Sequence, residues 1–266
     1  MTNKVPEIIV AFWIVKILST TVGETFADFL NSNVGLGLWG TIAVTGVALA
    51  IALTLQMRLR RYFPPVYWLV VVLVSIVGTL ITDALTDVYA VPLLVSTAVF
   101  SVALAATFAL WYRSEGTLSI HTILTSKREA FYWLAILFTF SLGTAVGDYL
   151  SEDVGIGYTR TGLIMVAGIL ITWLAYKFTS LGEVTAFWAA YIMTRPLGAS
   201  LGDFLTAPTA DGGRGLSTSA VSWLFFAGIV TIVAWMTVRE RARKAAIKAE
   251  PSAEPEPAPE PELALN

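Results

Sequence analysis

The chain of 266 residues contains no cysteine, a single histidine and little charge. The absence of cysteine excludes disulfides, thiolate metal sites, iron–sulfur clusters and thiol nucleophiles. Because His121 is the only histidine, a metal would need oxygen ligands; the sequence leaves metal binding open, and we expect no cofactor. Charged residues make up 14% of the chain, whereas soluble domains carry about 25%, so an ordinary soluble protein is excluded. The basic and acidic side chains nearly balance, and nucleic acid is not an expected partner.

Apolar runs follow one another along the chain with almost no space between them. A helix needs about 20 residues to cross a bilayer, and each run has that length. The runs lie at about 8–30, 36–57, 66–86, 89–112, 130–150, 158–178, 184–206 and 216–238. We therefore predict an all-α membrane protein whose residues 1–238 form eight transmembrane helices. The lipid bilayer is then a partner, and no loop can hold a soluble domain.

Lysines and arginines concentrate on one side of these predicted spans, and basic residues in short loops mark the cytoplasmic side. That side carries Lys4, Arg58, Arg60, Arg61, Arg113, Lys127, Arg128, Lys177 and the basic run 239–248. The other side carries Arg160 and Arg214. We therefore predict a multipass protein of the plasma membrane with both termini in the cytoplasm.

The composition changes abruptly at Arg239, where a tail begins that runs to residue 266. Its basic run continues the last helix, and a segment rich in proline and glutamate starts at Pro251. Dense proline prevents a helix, and the lack of apolar side chains prevents a core, so this composition predicts disorder. The tail is either a solvated cytoplasmic segment or a docking site for a protein partner.

A fourfold internal repeat is the most informative feature of the sequence. An aromatic residue followed by tryptophan occurs four times, and a glycine and an aspartate stand 10 and 15 residues after each tryptophan. The tryptophans are Trp13, Trp68, Trp133 and Trp188; the glycines are Gly23, Gly78, Gly143 and Gly198; the aspartates are Asp28, Asp83, Asp148 and Asp203. This period predicts two-helix repeats at about 8–62, 63–113, 128–178 and 183–238. They form two halves of four helices, and all repeats run in the same direction because each has an even number of spans.

With this motif the chain resembles a family of bacterial inner-membrane, membrane-anchored proteins built of four tandem two-helix repeats with a repeated tryptophan. The resemblance covers about residues 8–238. It implies the eight-helix fold and a location in the bacterial inner membrane. It implies no solute, so the site has to be argued from the side chains.

A polar stripe runs along each odd-numbered span. At about 100° per residue, the positions 7, 11 and 15 after each tryptophan share one face of the helix. They are Thr20, Glu24 and Asp28; Ser75, Thr79 and Asp83; Phe140, Thr144 and Asp148; Arg195, Ala199 and Asp203. The repeated glycines lie on the adjoining face, where small residues let membrane helices approach closely. We therefore predict an inner ring of odd helices surrounded by the even helices.

The repeated aspartates allow two interpretations. A charge inside a span costs about 2.5 kcal/mol or more and marks a functional site by default, so the aspartates and Glu24 could form a ring of carboxylates at the outer mouth of a path. Alternatively, each aspartate hydrogen-bonds the turn that joins its two helices. The repeated tryptophans are likewise either an aromatic belt at the cytoplasmic interface or a ring that closes the inner end of the path.

Three charged residues break the symmetry of the repeat: Lys16, Glu24 and Arg195. Each has an uncharged residue at the matching position of the other repeats. They are either charges that tune a path or members of closed structural ion pairs, Lys16 with Glu24 or Arg195 with a carboxylate.

The leading hypothesis is a transporter or channel for a small cationic solute, with protons as a solute or coupling ion. Its binding residues are Asp28, Asp83, Asp148, Asp203 and Glu24, and Lys16 and Arg195 are its tuning charges. The alternative is a non-transporting membrane scaffold or regulatory anchor that acts through its C-terminal tail. The sequence has no HExxH motif and no Ser/His pair within a span, so we expect no enzyme and no catalytic residue. An intramembrane aspartyl pair remains a third hypothesis.

Overall fold

The computed structural model describes residues 3–249, and within this range the chain forms eight α-helices and no β-strand. The helices are α1 Val10–Asp28, α2 Gly37–Arg58, α3 Pro64–Asp83, α4 Leu93–Glu115, α5 Ser126–Asp148, α6 Tyr158–Phe178, α7 Glu183–Thr206 and α8 Thr218–Ala249. The predicted all-α class is confirmed, and each helix coincides with one of the predicted spans. The basic run after Arg239 belongs to α8 as far as Ala249, whereas the proline-rich part of the tail lies outside the described residues.

Seven helices of the described range are long and apolar enough to span a membrane. The helix α7 is not among the seven, and it contains Glu183, Arg195 and Asp203. These helices suggest a membrane protein, in agreement with the composition.

Three odd helices change geometry directly after their repeated aspartate. A π-helical turn follows Asp28, Asp83 and Asp148. These turns are Phe29–Asn33, Ala84–Val88 and Tyr149–Asp153. The helix α7 instead continues past Asp203 to Thr206 without such a turn. The backbone therefore departs from a regular α-helix directly after these three aspartates. Single π-helical turns occur often at functional sites.

The odd helices pack against one another in a closed ring. The contacts run from α1 to α3, from α3 to α5, from α5 to α7 and from α7 back to α1. Each even helix packs against the odd helix of the following repeat: α2 on α3, α4 on α5, α6 on α7 and α8 on α1. The most apolar windows of α1, α3 and α5 are 61 to 67% buried, and those of the even helices are 17 to 28% buried.

The repeated glycines make this ring tight. A Cβ atom added at each glycine would overlap the residue that stands seven positions after the tryptophan of the next repeat. The pairs are Gly23 with Ser75, Gly78 with Phe140, Gly143 with Arg195 and Gly198 with Thr20. The last pair joins the fourth repeat to the first. The same contact therefore holds every junction of the ring, including the one that closes it.

Replacing Gly143 with alanine should lower the midpoint of thermal unfolding in detergent. The added methyl group would collide with Cβ and Cγ of Arg195, which cannot move without shifting the α7 backbone, and overpacking of this kind costs about 1–3 kcal/mol. Gly46→Ala in α2 is the matched control, since no atom lies within 4 Å of its added Cβ. Equal midpoints for the two variants would contradict this role of the glycines.

Candidate functional site

The polar residues of the inner ring lie in layers between its two ends. We call one end the tryptophan end, after Trp13, Trp68, Trp133 and Trp188. We call the other the aspartate end, after Asp28, Asp83, Asp148 and Asp203. The layers between them are the positions 3, 7 and 11 after each tryptophan.

Arg195 is fully buried in the middle of the ring and binds all three other odd helices. Its Nη1 donates to the Thr20 carbonyl oxygen of α1 at 3.0 Å, and its Nε donates to the Phe140 carbonyl oxygen of α5 at 3.3 Å. Its Nη2 donates to Oε2 of Glu24 at 3.0 Å and to the hydroxyl of Thr79 in α3. The guanidinium thus connects the four inner helices through one group.

Two threonines complete what we call the central cluster: Glu24, Arg195, Thr79 and Thr144. Nη2 of Arg195 donates to Oγ1 of Thr144 at 2.7 Å, and Thr79 Oγ1 donates to Glu24 Oε2 at 3.2 Å. Glu24, Thr79 and Thr144 all stand 11 residues after a tryptophan. Glu24 and Arg195 form an ion pair. The sequence analysis named both residues as charges but did not pair them with each other. The two threonines were on the predicted stripe but were not among the predicted site residues.

Lys16 lies one layer closer to the tryptophan end and does not pair with Glu24. It is fully buried, and its Nζ has no hydrogen-bond partner among the described residues. Nζ lies 4.1 Å from the centroid of the Phe140 ring and 4.4 Å from that of Tyr191. Cation–π contacts stabilise an ammonium by about 2 kcal/mol when desolvated, which is less than an unpaired charge costs in an apolar interior. Lys16 is therefore not part of a closed structural ion pair.

The repeated aspartates are accessible and unpaired. Asp28 is exposed, and Asp83, Asp148 and Asp203 are half-buried. Within residues 3–249 no hydrogen bond or ion pair involves their side chains, so the predicted bond to the following turn is not formed. Asp28 and Glu24 are close enough to repel the other three carboxylates electrostatically. No group of three or more acidic or histidine side chains in the described range could hold a metal ion. The carboxylates therefore share one end of the ring without meeting at a point.

Aromatic side chains fill the opposite end of the ring. Each aromatic residue that precedes a repeated tryptophan packs against the tryptophan of the next repeat, with ring centroids 5.4 to 6.3 Å apart. The pairs are Phe12 with Trp68, Tyr67 with Trp133, Tyr132 with Trp188 and Phe187 with Trp13. Trp68, Trp133 and Trp188 are buried between helices. The interpretation of an aromatic belt facing lipid is therefore wrong for these three.

The same repeat is recognised by a model of a protein family. Four consecutive segments match it, at residues 11–62, 66–117, 131–181 and 186–242, and together they cover most of the chain. The chain belongs to the Repeat of Unknown Function (DUF347) family. The matches confirm the prediction of four tandem repeats. No curated protein and no solved structure shows significant similarity to the chain.

In this DUF347 protein, an N-terminal segment, residues 3–7, is tied across the tryptophan end. Nζ of Lys4 donates to Oε2 of Glu129 at 2.5 Å, and Nε2 of Gln56 donates to Oε1 of Glu129 at 3.1 Å. All three side chains are buried. Sequence reasoning missed this cluster, because it treated Lys4 as a topological charge. Glu129 was detectable as an acid four residues before Trp133, where the other DUF347 repeats have Ile9, Pro64 and Val184.

Replacing Glu24 with glutamine should destabilise the protein strongly. The variant leaves the buried Arg195 guanidinium without an anion, and removing one member of a buried pair costs about 3–5 kcal/mol. The measurement is the midpoint of thermal unfolding in detergent. The matched control is Glu183→Gln, which breaks an exposed pair with His121 whose side chains are 66% and 50% accessible, and it should leave the midpoint unchanged. A Glu24→Gln protein as stable as the control would show that the pair is not structural.

Proposed function

We propose that this protein transports a small cation across the membrane. Asp28, Asp83, Asp148, Asp203 and Glu24 are its cation-binding carboxylates, and Lys16 and Arg195 are the charges that control passage. The observation that carries this proposal is the set of accessible aspartates without hydrogen-bond partners in the described range, next to a buried ion pair on the axis of the ring.

The aspartate end has the electrostatics of a cation receptor. Arg195 neutralises Glu24, and the four aspartates remain there without a paired cation among the described residues. Carboxylates clustered at one end of a bundle raise the local concentration of cations, and a bound cation relieves their mutual repulsion. Because no three acids of the described range can ligate one ion together, the arrangement suits a hydrated or organic cation better than a dehydrated metal ion.

The central residues favour a transporter over an open channel. A cation that leaves the aspartates toward the tryptophan end meets the Arg195 guanidinium and then Lys16, and both residues are fully buried. Beyond them lie the paired aromatic rings and the Lys4–Glu129 contact. The aspartates are thus in contact with solvent at one end of the ring, and aromatic rings fill the other end, which fits one state of an alternating-access cycle. A cation that reaches Glu24 would compete with Arg195 for its carboxylate.

The proposal includes the arrangement in the membrane. Parallel two-helix repeats place the odd helices in an inner ring and the even helices against lipid, which agrees with the exposed apolar side chains Val47, Leu163 and Leu224 of α2, α6 and α8. The tryptophan end and both termini face the cytoplasm of a bacterial cell, because the basic loops lie there. The aspartate end then faces outward.

Replacing the four repeated aspartates together with asparagine should abolish cation uptake into proteoliposomes, because the receptor loses its charge. The probes are radiolabelled sodium, rubidium, manganese and methylammonium ions, tested one by one on the wild type. Asp153→Asn is the matched control, since it removes an exposed carboxylate outside the motif. Uptake and ion dependence that survive in the fourfold variant would overturn the site.

Deletion of residues 250–266 should leave uptake intact. A cellular phenotype that depends on this deletion and not on the aspartates would favour the scaffold hypothesis.

Reporter fusions test the orientation. Alkaline phosphatase should be active when fused at Gly35 or Gly212, which lie in loops of the aspartate end, and inactive at Ser119 or Leu181, which lie in loops of the tryptophan end. The opposite pattern would reverse the protein in the membrane. Activity that differs between the two sites of one end would contradict the eight spans.

A further inference from the structure

We propose that Tyr62, Tyr67, Tyr132 and Tyr191 form, together with Lys16, a proton path from the tryptophan end to the central cluster. The proposal rests on the proposed cation transport and deepens it, since it makes the proton the coupling ion. The central cluster itself uses none of these tyrosines, and the burial of four hydroxyls toward the tryptophan end of the ring needs an explanation.

The middle of the path is a hydrogen bond between two neighbouring helices of the ring. Tyr67 of α3 and Tyr132 of α5 are both fully buried, and their hydroxyl oxygens lie 2.5 Å apart. Either hydroxyl can be the donor. A short bond between two chemically identical groups can reverse its direction at little cost, which is what a link in a proton path requires.

Tyr62 connects this bond to the protein surface. Its ring lies 5.6 Å from that of Tyr67, centroid to centroid, and its buried hydroxyl has no hydrogen-bond partner among the described residues. Tyr62 also lines a cavity of about 1010 Å³ at the tryptophan end, together with Arg61, Arg239 and Glu240. Burial raises the pKa of Tyr62 well above its usual value, so the group stays a protonated phenol that passes a proton on.

Tyr191 and Lys16 continue the path toward the central cluster. The buried Tyr191 is an electrostatic neighbour of Tyr132 and Tyr67, and its hydroxyl has no partner in the described range. Nζ of Lys16 lies against its ring at 4.4 Å. Both residues stand three positions after a repeated tryptophan, where the other two repeats have Val71 and Ile136. The polar atoms are therefore confined to one side of this layer.

The chemistry is a relay of protons between neutral hydroxyls. Each hydroxyl accepts a proton from one neighbour and gives its own proton to the next, so the tyrosines end without net charge. The hydroxyls of Tyr62 and Tyr191 and Nζ of Lys16 make no direct hydrogen bond in the described range, so the proposal requires a bridging water at each of these steps. Lys16 accepts the proton and becomes an ammonium, which the faces of Phe140 and Tyr191 stabilise. When it returns the proton to the tyrosines, which pass it to the tryptophan end, it becomes a free amine.

The surroundings of Lys16 couple this proton to the cation. The charged or titratable groups near Lys16 come from three neighbouring helices: Tyr191 and Arg195 from α7, Tyr132 from α5 and Tyr67 from α3. The helix α8 has no charged residue between Thr218 and Val238, and Glu24 lies on α1 itself. Lys16 and Arg195 repel each other and share the Phe140 ring. When Lys16 releases its proton, one positive charge leaves the axis and a cation can take its place. The result is exchange of a proton for a cation.

The test measures proton and cation movement in the same proteoliposomes. A cation gradient is imposed with whichever of the four labelled cations the wild type takes up, and a trapped pH-sensitive dye reports the internal pH. The double variant Tyr67→Phe/Tyr132→Phe keeps both rings and should slow the cation-driven pH change by about tenfold or more, in the range of a lost proton-transfer group. Tyr112→Phe is the matched control, because Tyr112 is exposed on α4. Lys16→Met removes the group that takes up and returns the proton, and it should abolish the pH change.

The outcomes separate the two proposals. A stable double variant with the wild-type rate of pH change overturns the proton path, and so does wild-type cation uptake without any pH change. In both cases cation transport itself stands. A wild-type protein that moves none of the cations overturns the proposed function and the proton path together. If Lys16→Met fails to fold, the tyrosine variant decides the question alone.

Discussion

The burial of one guanidinium in the middle of a membrane bundle is the constraint on which the rest of the structure depends. A buried charge is tolerated when it is paired and its donors are satisfied, and Arg195 finds its acceptors on α1, α3 and α5. These acceptors come within reach because Gly143 lets the stem of Arg195 lie against the α5 backbone. The close packing of the ring is therefore what allows the charge in its centre to be paired.

The residues that recur in all four repeats form the ring, and residues that occur in only one repeat form the centre of the candidate site. Four equivalent glycine contacts and four equivalent aromatic pairs would give an axis with fourfold symmetry. Glu24, Arg195 and Lys16 each occur in one repeat, so the polar groups lie off that symmetry. A symmetric bundle would offer a solute four identical positions. The asymmetric one has one glutamate, one arginine and one lysine inside the ring, and under the proposed function these residues define a single route.

The spans and the repeat were predictable because both depend on local features of the sequence, namely the length of apolar runs and a fixed spacing of residues. The pairing of charges was not. Lys16 and Glu24 share a helix eight residues apart, which is about 12 Å along the axis, so direct pairing was already too distant. To predict that Arg195 pairs with Glu24 and not with a nearby aspartate, one would need the relative height of α1 and α7.

The π-helical turns were missed because a shifted hydrogen bond leaves the apolar pattern unchanged. Lys4 and Glu129 are 125 residues apart, and their contact depends on the path of the N-terminal segment.

The helix dipole does not account for the aspartates. A carboxylate at a helix C-terminus is unfavourable by about 0.3–1 kcal/mol, and the effect fades within one turn. The π-helical turns carry the backbone five residues beyond Asp28, Asp83 and Asp148, so this penalty is reduced in three repeats. What remains is the mutual repulsion of accessible carboxylates and their partial desolvation. Neither cost is offset by a hydrogen bond within residues 3–249. Under the proposed function, a cation from solution offsets both costs at once.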